Sequence, residues 1–226
     1  MNIQVSGLIA GLLISSQCAA VNVGDITSII EPNQSLLSKE IENTTDVARF
    51  VGLKIFRISS PLADGQLIEM QSKSEILSTP AGLVLPGFAK DIFKIIYQGP
   101  SDDKERYYRL SWIDAPVVSA GEDTANKGAQ ATTSAQINTI LVVAPRQEKF
   151  DYHYTNGTIN NTGNSSFRVV AAGKCLDESK NKDGNGCRER YYVMPGKSVT
   201  LQHIDINDGK THLGIWHGSK YINVAR

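Results

Sequence analysis

The residue types able to do chemistry are few and scattered. There are four histidines, His153, His203, His212 and His217, and no HExxH pair links any two of them. His212 and His217 are the closest in sequence, near the C-terminus. Without a third ligand at suitable spacing they read as surface or half-buried histidines rather than a metal site. The Gly-rich phosphate loop, the nucleophile elbow and the paired CxxC are all absent. Asp102-Asp103 falls in a loop after Gly99-Pro100, where solvated turn residues are the expectation. No nucleophile, base and orienting group can be assembled from these residues, so an enzyme is not expected, nor any cofactor or metal.

Cys175 and Cys187 are the two cysteines outside the N-terminal segment. No His or Cys stands beside them at metal-ligand spacing, so they are expected to form a disulfide, as suits an exported chain. Export is indicated at the other end. Residues 1–20 carry no charged side chain; the apolar stretch 7–14 is followed by Ser15-Ser16-Gln17-Cys18-Ala19-Ala20. A short apolar run ending in small residues predicts a secretory signal cleaved after Ala20. The run is short for a bilayer span, and no insertion of the mature chain in a membrane is expected. The 23 basic and 23 acidic side chains balance to zero net charge, so a uniformly basic nucleic-acid binder is disfavoured.

The elements around these residues are strands. Period-2 alternation runs through 50–58, with Val51, Leu53 and Ile55 on one face, and through 107–113, with Tyr108, Leu110 and Trp112 on one face. It recurs in 92–97, 166–171 and 199–203. The breaks at Ser60-Pro61, Gly99-Pro100, Asn156-Gly157 and Pro195-Gly196 give the spacing of a β-sandwich. Tyr107, Tyr108 and Trp112 belong to a strand and its core rather than to a stacking platform. The polar, alanine-rich 122–130 reads as a loop. Pro145 cannot donate to a ladder, so a strand ends before it. The expected fold is all-β: two immunoglobulin-like β-sandwich domains with a cleft between them, an N-terminal domain over 21–144 and a C-terminal domain over 145–226.

The order of several segments resembles a known family. Thr79-Pro80, Leu85-Pro86, the run Ile92-Phe93-Lys94-Ile95-Ile96-Tyr97-Gln98-Gly99-Pro100 and the run from Glu105 to Pro116 resemble the first domain of periplasmic chaperones of the chaperone–usher pathway. The stretches 35–45, 156–170 and 191–201 resemble further segments of that family. Within it, 105–116 and Thr139-Ile140-Leu141-Val142-Val143-Ala144-Pro145-Arg146 look closest to the alternate branch and its common-pilus (EcpB/EcpE-like) group. The resemblance implies a periplasmic protein that binds pilus subunits by donating an edge strand, a mode of β-augmentation, and delivers them to an outer-membrane usher.

The implied donor is the last strand of the first domain, with Ala131, Thr133, Ala135, Ile137, Thr139, Leu141 and Val143 on one face. Self-association is one way for the free protein to cover that strand. The family holds the subunit carboxylate with two basic residues, one on the first strand and one on the donor. Neither position is basic here. Arg146 is the nearest candidate for a carboxylate anchor and Arg109 the next, by the bidentate geometry open to guanidinium; an interdomain salt bridge is the rival role for Arg146. An exported structural or adhesive pilus component is the competing reading of the chain as a whole.

Overall fold

The computed structural model describes residues 21–117, 134–181 and 184–224. Eight strands build a first sandwich: β1 (Thr27–Ile30), β2 (Leu36–Glu42), β3 (Arg49–Ile58), β4 (Ile76–Thr79), β5 (Gly82–Leu85), β6 (Lys90–Tyr97), β7 (Arg106–Pro116) and β8 (Ala135–Val143). One sheet has the order β1-β8-β7-β3-β5 and the facing sheet the order β2-β6-β4. The alternation in β3 and β7 is what closes them. Val51 and Leu53 of β3 and Tyr108, Leu110 and Trp112 of β7 are buried together on the core face of the sheet. Phe93 from β6 meets Trp112 edge-on at 5.2 Å, a favoured aromatic geometry.

The N-terminal residues change sheets. Asn22 exchanges backbone hydrogen bonds of 2.8 and 2.9 Å with Glu42 at the end of β2. The chain then turns through Gly24, whose φ of 68° is open to a residue without a Cβ. It joins the other sheet as β1, parallel to β8.

The second sandwich holds β9 (Tyr152–Thr155), β10 (Thr158–Asn161), β11 (Phe167–Gly173), β12 (Cys187–Val193), β13 (Ser198–Thr200), β14 (His212–His217) and β15 (Lys220–Asn223). Its sheets run β13-β10-β9 and β12-β11-β14-β15. Ile159, Phe167, Val169, Leu213 and Ile215 fill the space between them. Cys175 and Cys187 are joined in a disulfide, which closes the loop between β11 and β12.

Two expectations from sequence change. The alternation of 199–203 yields only the short β13, because the Glu189 carboxylate accepts hydrogen bonds from the Gln202 and His203 amides and replaces a strand partner there. Asp102 is not simply solvated: its two carboxylate oxygens accept from Nη1 and Nη2 of Arg106, each at 2.7 Å. The loop expected over 122–130 lies outside the described residues.

Candidate functional site

β8 is paired unevenly, and this follows from where the chain changes sheets. On one side it is antiparallel to β7 along its whole length, from Val143 opposite Arg106 to Ala135 opposite Asp114. On the other, β1 reaches only Ile140–Val143. The Ile140 amide donates to Ile26 O at 2.7 Å and the Ala144 amide to Ile30 O at 3.0 Å. Backbone groups alternate sides along a strand, so Asn138 and Gln136 point their N–H and C=O the same way, beyond the end of β1. Among the described residues no strand pairs with them there. The result is an open edge over 135–139, the kind of edge that templates pairing with another chain.

The side chains of β8 divide at Thr139. Leu141, Val143 and Thr139 are buried in the first sandwich; Thr139 Oγ1 accepts a 3.0 Å hydrogen bond from Trp112 Nε1. These three fill the protein's own core, so the partner-facing role expected for them is not where their side chains lie. Ile137 and Ala135 share their face but are only half-buried, with Ile137 at the margin of the core. Ala131 and Thr133 lie outside the described residues.

The cleft between the sandwiches is pinned by polar and apolar contacts. Ile58, Tyr107 and Val142 form a buried cluster against which Ile140 and Met194 pack. Glu105 accepts a 2.7 Å hydrogen bond from the Ser166 amide and another from the Ser166 hydroxyl. Burial pushes the Glu105 carboxyl above its ordinary pKa, while the bonds from Ser166 oppose that rise. Asn164 Nδ2 donates to Asp103 O at 2.9 Å and Gln147 O at 2.8 Å. Beside these contacts lies a groove of about 150 Å³ lined by Ile29, Val142, Arg168, Trp216 and His217 among others.

Neither expected basic anchor lines this groove. Arg146 directs Nη1 at the carbonyls of Glu31, Pro32 and Gln34, at 2.8, 3.0 and 2.6 Å, and its guanidinium lies 5.0 Å from the centre of the Tyr97 ring. It fixes the turn after β1, and no ion pair across the cleft is formed by it among the described residues. Arg109 sits on the outward face of β7 opposite Ile140, with Nη2 3.5 Å from Gly65 O.

The exposed cation that does line the groove is Arg168, on β11 between Tyr192 and Trp216. Its signal in the sequence was its outward place in the alternation of β11, which says nothing about what it faces. His217 is 3.0 Å from both Glu148 Oε1 and Ser165 Oγ, and its ring lies against Phe150 at 4.5 Å. That joins the linker to the second sandwich. Among the described residues no three His, Cys, Asp or Glu side chains are grouped to hold a metal, and no helix is long and apolar enough to cross a membrane.

The "Probable fimbrial chaperone EcpB" of Escherichia coli O157:H7 (strain EC4115 / EHEC) is 47% identical over 219 residues, which is 96% of this chain and 97% of that protein. The chain belongs to the EcpB family of fimbrial chaperones. Residues 150–224 match the family model of the EcpB C-terminal domain. The architecture is that of solved two-domain pilus chaperones. The class 5 fimbriae chaperone CfaA aligns with a TM-score of 0.56 and 13% identity, over 90% of this chain and 97% of that one. The Salmonella enterica SafB chaperone with its SafA pilin gives 0.56 and 15%, over 94% and 99%. The fold is therefore all-β with two immunoglobulin-like domains, as the alternation predicted. Membership of this family does not favour the competing reading of a structural or adhesive pilus component.

Proposed function

We propose that this protein is a periplasmic chaperone that captures unfinished pilus subunits on the open edge of β8 and delivers them to the outer-membrane usher. The observation that supports it is the uneven pairing of β8, in a chain of the fimbrial chaperone family. A subunit with an incomplete sandwich exposes unpaired backbone groups and an apolar groove. Gln136 and Asn138 offer the hydrogen bonds, and Ala135 and Ile137 offer side chains to that groove. The domains are taken as 21–144 and 145–226, with export to the periplasm and cleavage after Ala20. The protein acts by binding and needs no cofactor.

β1 covers β8 over Ile140–Val143, so a subunit on the open edge reaches the groove between the sandwiches only by passing β1. The groove's lining mixes Ile29, Val142 and Phe167 with Glu31, Glu105 and Glu148, and Arg168 is the arginine offered there, in place of Arg146 and Arg109. Co-expression with the pilus subunits of the same organelle, followed by purification from periplasm, tests the reading. A stable one-to-one complex is expected. Subunits that accumulate intact without this chain would overturn it.

A further inference from the structure

At the end of the first sandwich remote from the second, β7 and β3 place a charged pair inside the core. The Asp114 side chain is 1% exposed and forms an ion pair through Oδ1 with Arg49 Nε. Its other oxygen, Oδ2, accepts a hydrogen bond from the backbone nitrogen of Val21 at 3.2 Å. Val21 is itself 3% exposed and packs in the first core. Its neighbour Asn22 is held to Glu42 by two backbone hydrogen bonds. A buried carboxylate oxygen thus faces one backbone nitrogen, and that nitrogen belongs to the residue after the expected cleavage point.

We propose that Asp114 is a binding site for the α-ammonium group created when residues 1–20 are removed. Hydrolysis of the Ala20–Val21 peptide bond by the secretory peptidase consumes one water. It leaves a carboxylate on Ala20 and an ammonium on Val21. The neutral N–H donor at Asp114 becomes a charged one, already in place. A bond to an ionised carboxylate is charge-assisted before cleavage as well; cleavage adds a full positive charge to the donor, which turns the hydrogen bond into an ion pair, and a carboxylate has acceptor sites for both Arg49 and the new ammonium. Processing therefore completes a triad of Arg49, Asp114 and Val21 that ties β3, β7 and the N-terminal segment together. That segment leads directly into β1, whose short reach leaves the edge of β8 open. The first sandwich reaches its full stability only in the processed chain.

The inference rests on cleavage after Ala20, and the two are tested separately. Mass spectrometry of protein purified from periplasm reads the N-terminus. A chain starting at Val21 is expected; any other start overturns both the cleavage point and the ammonium site. The processed protein is then compared with a chain carrying one extra glycine before Val21, which moves the ammonium one residue outward. The extended chain is expected to melt about 5 °C lower. Asp114→Asn should remove most of that difference. A second readout does not depend on Asp114→Asn folding: the Val21 amine should react with an amine-selective aldehyde at least tenfold more slowly than the amine of the extended chain. Equal melting temperatures, or equal reaction rates, would overturn the site while leaving the cleavage point standing.

Discussion

Trp112 Nε1 donates to Thr139 Oγ1 at 3.0 Å, with both side chains sealed inside the first sandwich. The bond marks the point on β8 where the strand stops serving its own core and becomes an open edge. It also makes Thr139 irreplaceable by an isostere without a hydroxyl. Thr139→Val would leave the indole N–H buried and unpaired, at a cost of about 1–3 kcal/mol. Urea unfolding should show that loss for Thr139→Val and a smaller one for Thr139→Ser, which keeps the acceptor. Subunit capture by the folded fraction should be unchanged in both. A normal stability for Thr139→Val would mean that the hydrogen bond contributes little.

Two substitutions one residue apart on β8 should separate capture from folding. The Asn138 amide points away from β7, so Asn138→Pro removes a donor from the open edge and none from the ladder within the sandwich. Proline is tolerated at such edge positions, and the stability change should stay within about 1 kcal/mol. Co-purification of a subunit should be lost. Ile137→Asp should also abolish capture. It places a carboxylate on the face that enters the partner and at the margin of the protein's own core, so it should cost about 1–3 kcal/mol as well. Capture that survives Asn138→Pro would remove the strand-edge mechanism.

Much of the first sandwich was legible because its strands obey one rule. Val51 and Leu53 in β3, and Tyr108, Leu110 and Trp112 in β7, alternate in sequence and are buried as the alternation requires. The donor strand was legible as a strand for the same reason, and not in its parts. Thr139 and Ile137 have the same parity and both lie beyond β1; what separates them is packing, since Thr139 is sealed beneath Trp112 while Ile137 sits at the margin of the core, and parity does not show where the core ends. Arg146 was open to misreading in the same way. Its partners are three carbonyls of the turn after β1, and carbonyls leave no trace in side-chain pattern. Arg168 was missed because an outward position on a strand does not say whether the outside is solvent or a cleft.

The loop before β7 gives a pH prediction. The hydrogen bonds from Arg106, chiefly, hold the Asp102 carboxyl down from 3.8 to about 2. Arg106 is 3% exposed and Asp102 35%, so solvent screens part of the pair. A depressed carboxyl contributes stability that is present above its unfolded pKa and is lost as pH falls through the folded one. Asp102→Asn should therefore be less stable than the parent at pH 7, by about 0.2–1 kcal/mol after screening. The gap should narrow between pH 3.8 and about 2, because the parent loses the charge there. Urea midpoints at pH 7, 4 and 2.5 would show it. A gap that ignores pH would mean that shape rather than charge matters at this position.

The disulfide should matter to the second sandwich and not to the donor edge. Cys175 and Cys187 are 12 positions apart and both buried. Closing so short a loop limits the unfolded chain and stabilises the fold by about 3 kcal/mol in the chain-entropy model. Replacing both cysteines with alanine should lower the melting temperature and remove its dependence on reductant. The open edge of β8 belongs to the other sandwich and shares no core with the disulfide. Capture of a subunit by the variant, measured well below its melting temperature, should therefore match that of the parent. Loss of capture at a temperature where the variant is folded would show that the second sandwich supports the edge through the Glu105–Ser166 contacts and the cluster around Val142, rather than standing apart from it.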